Sequence, residues 1–438
     1  MDIVVVFGLF ILAVGTCLVM DWSILYGLLV GLAAFLLLAH RHGQPWRALP
    51  GLVWQGVRTA LPVVAVMLCI GCLTALWRAS GTIGYCVAVG LELLAPRLFL
   101  LIAFLLPAVL SFLLGTSFGV AGTAGVVLMA LARSGGADLP LTAGAVLSGA
   151  YFGDRCSPAS SAGMLACKVC DVPHSSFVRM MLRTSVVPIL VCLAVYSVLS
   201  VTHPLARMDE QALQALAESF RLSWVCLLPA LALLVPPWCG LPIFYSLAGS
   251  AGVGLILALT WQQQPLGPTL WACVAGWQAP AGPLSATLSG GGIVSMATAC
   301  GVVLLSNAYS GLFRAAHLLE GLERRLSALA DRVGLFPTQL LTALLTGGVF
   351  CNQAIGTVLG AQLLRGVYLR KGASNMELAV DLGSSILTMA GLIPWSVASA
   401  VPLAMLGVSS GALWFAVYLY AVPLCYLATR AHWFPGKA

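Results

Sequence analysis

The chain alternates between long apolar segments and short polar ones. Runs of roughly 20 apolar residues, enough for a helix to cross about 30 Å of hydrocarbon, recur along its 438 residues. The apolar segments are 2–20, 22–39, 57–77, 82–95, 98–114, 117–132, 139–166, 177–200, 223–238, 241–261, 268–281, 292–312, 336–364, 378–400 and 410–428. Three of them, 98–114, 117–132 and 336–364, are too short or too glycine-rich to cross alone. We therefore predict helical hairpins there and about 10 to 13 full crossings overall.

Composition fits a protein embedded in lipid. The chain is 60% hydrophobic and only 8% charged, whereas soluble domains carry about 25% charged residues. These values predict an all-α polytopic membrane protein whose surroundings are the lipid bilayer. The formal net charge of +7 fits basic cytoplasmic loops and anionic lipid, and it does not imply nucleic acid.

The first segments give a predicted orientation. Segment 2–20 lacks the basic start of a signal peptide and is interpreted as a retained helix. The basic loop "HRHGQPWR" (40–47) follows the second segment and places the N-terminus in the cytoplasm. The expected location is the plasma membrane, which is the inner membrane of a bacterium.

Cysteine and histidine placement gives no support to an enzyme. Most of the 14 cysteines lie inside apolar segments, and "CKVC" (167–170) has no second pair nearby to complete a zinc site. The six histidines lie in loops or at segment ends, so they assemble no catalytic or metal cluster. We expect no enzymatic activity, no cofactor and no metal beyond a transient Na+.

The two halves of the chain resemble each other. "LWRASGTI" (76–83) is similar to "NAYSGLF" (307–313), and "LLGTSFGVAGTAG" (113–125) has a counterpart in "LLTGGVFCNQAIGTVLGA" (344–361). A proline-interrupted segment follows each of the latter two. Matching glycine- and proline-interrupted segments in two halves are the best sequence indication of a transporter's binding site.

This pattern predicts two inverted repeats, each with a re-entrant helical hairpin and a broken transmembrane helix. The hairpins 98–132 and 336–366 would enter from opposite sides, and helical hydrogen bonding would lapse at mid-membrane depth near Pro158 and Pro394. The expected divisions are N-terminal helices (1–54), a first repeat (55–201), a central connector with helices (202–284) and a second repeat (285–438).

The stretch "SGAYFGDRCSPASSAGMLACK" (148–168) shows why a break has a use inside lipid. Pro158 removes a backbone donor and clashes with the preceding turn. Irregular chain at membrane depth persists only where it is buried in protein or lines a wet cavity. The freed carbonyls and the hydroxyls of Ser157 and Ser160 suit a cation, whereas a half-helix beginning near Pro158 suits an anion.

Asp154 lies in the same stretch. A carboxylate within the membrane is costly and usually functional, and Arg155 beside it points about 100° away around the helix. We favour an ion- or proton-coupling role for Asp154, with a transient Na+ as its partner. The alternative is a structural salt bridge at a helix end, with Arg155 extending to the membrane surface.

A second polar group lies in the other half. "FCNQAIGT" (350–357) offers amides and a hydroxyl, which are neutral ligands for a cation or donors to a carboxylate; helix–helix contacts between small polar residues are the alternative. "GTS" (115–117) has the same two interpretations, and Trp395 is either an interfacial anchor or a cavity wall. The candidate ion- or substrate-binding residues are Asp154, Ser157, Ser160, Ser161, Thr116, Ser117, Asn352, Gln353, Thr357, Thr388, Trp395 and Ser396.

An ordered set of five motifs resembles the sodium/proton antiporters of the NhaC type, within the ion transporter superfamily. The motifs are "ALWRASGTIG", "LLGTSFGVAGTAG", "SGAYFGDRCSPASS", "LSGGGIVSM" (288–296) and "GLIPWSVASA". The resemblance implies a two-repeat fold with a re-entrant hairpin and a broken helix in each half. It also implies monovalent-cation or proton-coupled exchange, sometimes with a small organic acid.

This chain departs from the family's pattern at acidic positions. The family has an aspartate in place of Ser161, an aspartate–glutamine pair in place of Asn352-Gln353, and acidic residues in place of Gly383 and Ser384. Fewer carboxylates imply weaker capture of a bare cation, which leaves the use of sodium open.

Two functions follow from these observations. The first is a secondary active cation/proton antiporter that works by alternating access, with Asp154 carrying the exchangeable charge. The alternative is a proton-coupled or exchange transporter of a small organic solute, an amino acid or a carboxylate. The paired breaks argue against a membrane scaffold or receptor. Monovalent cations, protons and a small organic solute are thus the candidate partners, with a homodimer as an open option.

Overall fold

A computed structural model describes residues 3–20, 22–93, 95–205, 220–238, 243–279, 289–315 and 322–434. Nearly all of these residues are helical, and the one β-bridge within them joins Trp277 and Gly290. The all-α membrane architecture expected from the apolar pattern is confirmed. Parts of the predicted central connector (202–284) and of the predicted second repeat (285–438) lie outside the described residues.

The helices follow the predicted apolar segments closely. In the first half they are α1 (Ile3–Val19), α2 (Ile24–Arg41), α3 (Leu49–Ala79), α4 (Thr82–Leu93), α5 (Phe99–Leu114), α6 (Ser117–Ser134), α7 (Leu139–Cys156), α8 (Ser161–Cys170) and α9 (His174–Thr202). In the second half they are α10 (Leu228–Trp238), α11 (Ile243–Thr260), α12 (Leu266–Ala275), α13 (Ala297–Ala315), α14 (Leu322–Val333), α15 (Leu335–Phe350), α16 (Gln353–Arg370), α17 (Asn375–Gly383), α18 (Ile386–Met389), α19 (Val397–Leu406) and α20 (Val417–Trp433).

Length and apolarity together identify fewer spans than the sequence suggested. Among the described residues, five helices are long and apolar enough to cross a membrane, and a sixth span arises if the bent pair Asn375–Leu392 and Val397–Leu406 is counted as one. Several other apolar helices are shorter than this criterion requires, α15 and α12 among them. The count of 10 to 13 crossings therefore stays a prediction, as do the four divisions of the chain.

Two helix–turn–helix segments lie where helical hairpins were predicted, with similar turn geometry in each, and their arrangement as hairpins in the membrane stays a prediction. In the first, α5 ends at Gly115 with φ +70°, and the extended Thr116 precedes α6. In the second, α15 ends at Cys351 with φ +53°, and the extended Asn352 precedes α16. Thr116 accepts a hydrogen bond from the N–H of Gly119, and Asn352 caps its helix in the same way. Entry of the hairpins from opposite membrane faces stays a prediction.

Helical hydrogen bonding lapses at both predicted breaks. The helix α7 ends at Cys156, and α8 begins only at Ser161. In the second half, a turn over residues 393–396, extended at Ile393 and Ser396, interrupts the path, and the helix axes bend by 50° across it. Ser160 and Ser396 are the N-caps of the helices that resume. The placement of these breaks near the two prolines is confirmed, and their depth in the membrane stays a prediction.

Buried tyrosines of the first half form hydrogen bonds to the backbone of the second half. The hydroxyl of Tyr151 on α7 donates to the carbonyl of Ala398 on α19. The hydroxyl of Tyr196 on α9 donates to the carbonyl of Phe415 at 2.7 Å. Because both tyrosines are at most 1% exposed, their hydroxyls need such partners, and the two halves pack in a fixed register.

Candidate functional site

Each hairpin tip packs against the break of its own half. A Cβ on Gly115 would lie 2.5 Å from the carbonyl carbon of Ala159, so the absence of a side chain permits this contact. In the second half, the carbonyl of Cys351 accepts a hydrogen bond of 2.7 Å from the N–H of Val397. It also accepts one from the hydroxyl of Ser396. The polar groups of tip and break are thereby collected at one place in each half.

Asp154 joins these two places. It lies in the last turn of α7 and is 7% exposed. The side chain of Gln353, and the hydroxyl and the backbone N–H of Ser117, face its carboxylate. Ser117 is the first residue of α6, and Gln353 is the first residue of α16, where its amide also donates to the carbonyl of Leu387 at 2.8 Å. One carboxylate is therefore faced by both hairpin tips, one from each half of the chain.

Helix electrostatics favour negative charge at this position. Helix N-termini carry a partial positive charge and unsatisfied N–H groups, and each stabilises a nearby anion by about 0.3–1 kcal/mol, or up to about 2 kcal/mol when partly buried. The backbone N–H of Ser117 at the start of α6 faces Asp154, whereas Gln353 at the start of α16 reaches it through its side chain. The N-terminus of α6 therefore offsets part of the cost of placing a carboxylate out of water.

The partners of Asp154 are all neutral. Within the part of the chain that the structure describes, its carboxylate forms no salt bridge. A carboxylate without a fixed counter-ion can accept a proton or a small cation, whereas one locked to an arginine cannot do so readily. The geometry thus leaves this group available for exchange.

Arg155 has a different environment from the one expected of a residue that extends to the membrane surface. Its side chain is 1% exposed and turns away from Asp154 toward α9 and α17. Its guanidinium donates to the carbonyls of Gly383 (2.9 Å) and Met181 (3.1 Å). The hydroxyls of Thr184, Ser185 and Ser384 also accept from it. The alternative in which Arg155 reaches the surface is wrong, because these acceptors satisfy it inside the protein.

The contact between Arg155 and residues 383–384 gives those positions a physical meaning. At these positions the chain presents a backbone carbonyl and a hydroxyl to a buried guanidinium. Neutral acceptors hold the arginine in place without compensating its charge. Arg155 is therefore a fixed positive charge between the two broken helices.

Several other predicted residues serve the local backbone. Ser157 accepts from the N–H of Ala159 at 3.0 Å, and Ser160 caps α8 while it donates to the carbonyl of Asp154. Thr357 and Thr388 are buried and donate to carbonyls within their own helical turns. These hydroxyls stabilise the local backbone of the breaks and of the second tip.

Three predicted residues have surroundings that do not involve the Asp154 carboxylate. Ser161 is exposed at the start of α8. Asn352 donates to the side chain of Asn307 at 3.0 Å. Trp395 is half-buried, donates to the carbonyl of Gly348 at 2.7 Å and packs edge-on against Phe10.

Two buried residues were missed from the sequence. Asn307, 2% exposed on α13, contacts the second hairpin tip through Asn352, and the "NAYSGLF" motif was the available signal for it. Asp381 is a second buried carboxylate, at 0% exposure. It accepts hydrogen bonds from Tyr368 (2.6 Å) and Tyr426 (2.7 Å) and forms a salt bridge of 2.9 Å with Arg430. This closed set of partners marks Asp381 as structural.

Comparison with known proteins identifies similar transporters along nearly the whole chain. The sequence model described as the Na+/H+ antiporter family matches residues 2–178 and 169–431. The malate-2H(+)/Na(+)-lactate antiporter of Bacillus subtilis is 27% identical over 426 residues, covering 93% of this chain and 89% of that protein. The Na(+)/H(+) antiporter NhaC of the same organism is 24% identical over 391 residues, covering 87% and 86%. The arginine/ornithine antiporter ArcD of Halobacterium salinarum is 27% identical over 384 residues, covering 84% and 77%.

Proposed function

Because this chain belongs to the Na+/H+ antiporter family, we propose that it exchanges a monovalent cation for protons at Asp154 by alternating access. The observation that carries the proposal is the position of this carboxylate: it is buried, it has no ion-pair partner within the described residues, and one residue from each hairpin tip, Ser117 and Gln353, faces it. A movement of one half against the other changes the surroundings of Asp154 directly.

The chemistry of the exchange follows from competition for one carboxylate. When Asp154 binds a proton it becomes a neutral acid, which Ser117 and Gln353 still face. The bound proton crosses the membrane when the site changes its access from one side to the other. Loss of that proton gives a carboxylate, for which Na+ is a suitable hard partner, with hydroxyl and carbonyl oxygens as further ligands. Since the two ligands occupy the same group in turn, the gradient of one drives the movement of the other.

The proposal includes an architecture around this site. The repeated turn geometry at Gly115 and Cys351, and the repeated N-caps at Ser160 and Ser396, support two structural repeats. We expect them to be inverted, with re-entrant hairpins, in the inner membrane of a bacterium and with the N-terminus in the cytoplasm. A homodimer is compatible with this arrangement.

A second function is supported by the neutral character of the site. Acidic positions of the family pattern are occupied here by Ser161, Asn352 and Ser384. Two of the relatives are named for organic substrates, one for malate and lactate and one for arginine and ornithine. The alternative is therefore proton-coupled or exchange transport of a small organic solute through the same two-half architecture.

The test is exchange in proteoliposomes. Purified protein is reconstituted with a pH-sensitive dye inside the vesicles, an inward or outward pH gradient is imposed, and Na+, K+ or Li+ is added outside. We expect cation-dependent dissipation of the gradient by the native protein and none by Asp154→Asn, which retains the shape of the side chain but not its charge.

The matched control is Asp171→Asn. Asp171 is an exposed residue with φ +57° at the end of α8, a conformation that asparagine tolerates, so this variant should exchange normally. If Asp154→Asn is folded and exchanges cations at the native rate, Asp154 is not the coupling group. If no cation supports exchange but labelled organic solutes do, the second function replaces the first.

A further inference from the structure

A cavity lined by two arginines lies at the far end of the first hairpin from Asp154. Its volume is about 220 Å³, and it is bounded by α3, α6, the glycine loop before α13 and the end of α19. Its polar lining residues are Thr74, Arg78, Arg133, Ser289 and Ser295. Arg133 lies 16 residues after Ser117 on α6, which corresponds to about 24 Å along the helix. The cavity is thus separate from the site between the hairpin tips.

Of the two arginines that line this cavity, Arg78 has the fewer hydrogen bonds. Its side chain is 7% exposed, and its one hydrogen bond within the described structure joins Nη1 to the carbonyl of Thr74 at 3.2 Å. Its Nε has no hydrogen-bond partner. A buried donor without a partner costs free energy, and the cost is larger for a charged group. An intramembrane arginine with an unpaired donor indicates a binding site, in which the ligand supplies the missing hydrogen-bond acceptor.

Arg133 places a second positive charge beside the first. One of its terminal nitrogens donates to the carbonyls of Leu406 (2.8 Å) and Gly407 (3.3 Å), which fixes the side chain at the cavity wall. The guanidinium groups of Arg78 and Arg133 are close enough to repel each other. Within the described residues that line the cavity, no carboxylate offsets this repulsion.

The glycine loop leaves room in front of Arg78. Gly290, Gly291 and Gly292 all have positive φ, at +122°, +76° and +84°, a conformation that side chains rarely permit. The N–H of Gly292 donates to the carbonyl of Gly71 at 2.7 Å, which fixes the loop against α3. A Cβ on Gly290 would lie 3.8 Å from the Nε of Arg78, in the space that an incoming group would use.

We propose that this cavity is a binding site for a small carboxylate anion, held by Arg78 and Arg133. Planar guanidinium groups match carboxylate oxygens in pairs, and the hydroxyl of Ser289 offers a further donor. Drug-sized ligands occupy pockets of roughly 300–1,000 Å³, so this cavity fits a smaller molecule with one or two carboxylates. The inference rests on the proposed transport function and specifies an organic anion as a second transported or regulating solute.

The experiment is equilibrium binding of labelled succinate and labelled lactate to the purified full-length protein at fixed pH, without a gradient. We expect saturable binding to the native protein. Removal of one charge by Arg78→Gln or Arg133→Gln should weaken it by roughly 10- to 100-fold, the effect of losing a charged hydrogen bond. The matched control is Arg183→Gln, because Arg183 is an exposed arginine on α9, and it should bind as the native protein does.

Further variants and competing ligands distinguish failure of this inference from failure of the proposed function. Asp154→Asn should bind succinate normally, because the cavity does not include Asp154. If the native protein exchanges cations but binds neither succinate nor lactate, this inference is overturned and the proposed function is not. Sulfate that displaces succinate with equal potency overturns the carboxylate assignment. Arg78→Lys, which keeps the charge without the paired geometry, should bind with intermediate affinity; native affinity in every folded arginine variant would place the ligand elsewhere.

Discussion

Gly153, the residue before Asp154, sets the distance between α5 and α7. A Cβ at this position would lie 2.1 Å from the carbonyl carbon of Ser111 and 2.3 Å from the N of Phe112. Both atoms belong to the backbone of α5, so no side-chain rotation can relieve the clash. Gly153→Ala must therefore push the two helices apart or prevent the protein from folding.

The magnitude of the effect follows from these distances. Ordinary van der Waals contact begins at 3.4 Å, so a Cβ at 2.1 Å requires a separation of about 1.3 Å more between the helices. The hydroxyl of Ser111 donates to the carbonyl of Ala150 at 2.5 Å, and this bond would not survive such a displacement. Overpacking costs about 1–3 kcal/mol and the lost hydrogen bond about 0.5–1.5 kcal/mol. We expect a destabilisation of about 2–4 kcal/mol.

The assay is thermal unfolding of purified protein in one detergent at one heating rate. Gly153→Ala should melt several degrees below the native protein and exchange cations more slowly, because the displaced hairpin moves Ser117 relative to Asp154. The control is Gly252→Ala on α11, where an added Cβ meets nothing within 4 Å and alanine favours the helix by about 1 kcal/mol. Equal melting temperatures for Gly153→Ala and the native protein would refute the reasoning.

Three further predictions concern charged groups. Arg155→Gln should lower the apparent melting temperature, because buried acceptors lose their donors, whereas Arg183→Gln at an exposed position should not. Asp381→Asn should lower the apparent melting temperature, because Arg430 loses its buried partner at 2.9 Å and keeps only the longer ion pair of 3.5 Å with Glu377, with the cation dependence of exchange in the folded protein unchanged. Ser161→Asp combined with Asn352→Asp should lower the Na+ concentration for half-maximal exchange, measured in proteoliposomes, because added carboxylates attract the cation.

The helices and their interruptions could be predicted from the sequence because their causes are local. Apolar runs gave the helices, Pro158 and Pro394 gave the breaks, and glycine with polar residues gave the tips at Gly115 and Cys351. Each of these signals acts within a few residues of the structure it produces.

Contacts between the halves could not be predicted in this way. Ser117 and Gln353 are 236 residues apart, and only the packed fold shows that both reach Asp154. The same holds for Arg155, whose acceptors on α9 and α17 follow it by tens to hundreds of residues. Sequence supplied the polar groups of the site, and tertiary packing decided which of them meet.

The buried Asp381 also shows that the local sequence does not reveal the tertiary partners of a residue. The sequence drew attention to acidic positions that had become neutral, and a second carboxylate two residues before Gly383 was passed over. Its partners Tyr368, Tyr426 and Arg430 come from two other helices. Nothing local distinguishes this closed structural group from an exchangeable one such as Asp154.

The most direct measurement of the central claim is proton release on cation binding. Na+ is added to purified protein in weakly buffered solution, and the proton count per molecule is read with a pH indicator. If protons and cations compete for Asp154, the native protein and Asp171→Asn release protons, and Asp154→Asn releases none. Proton release from folded Asp154→Asn equal to that of the native protein would contradict the account.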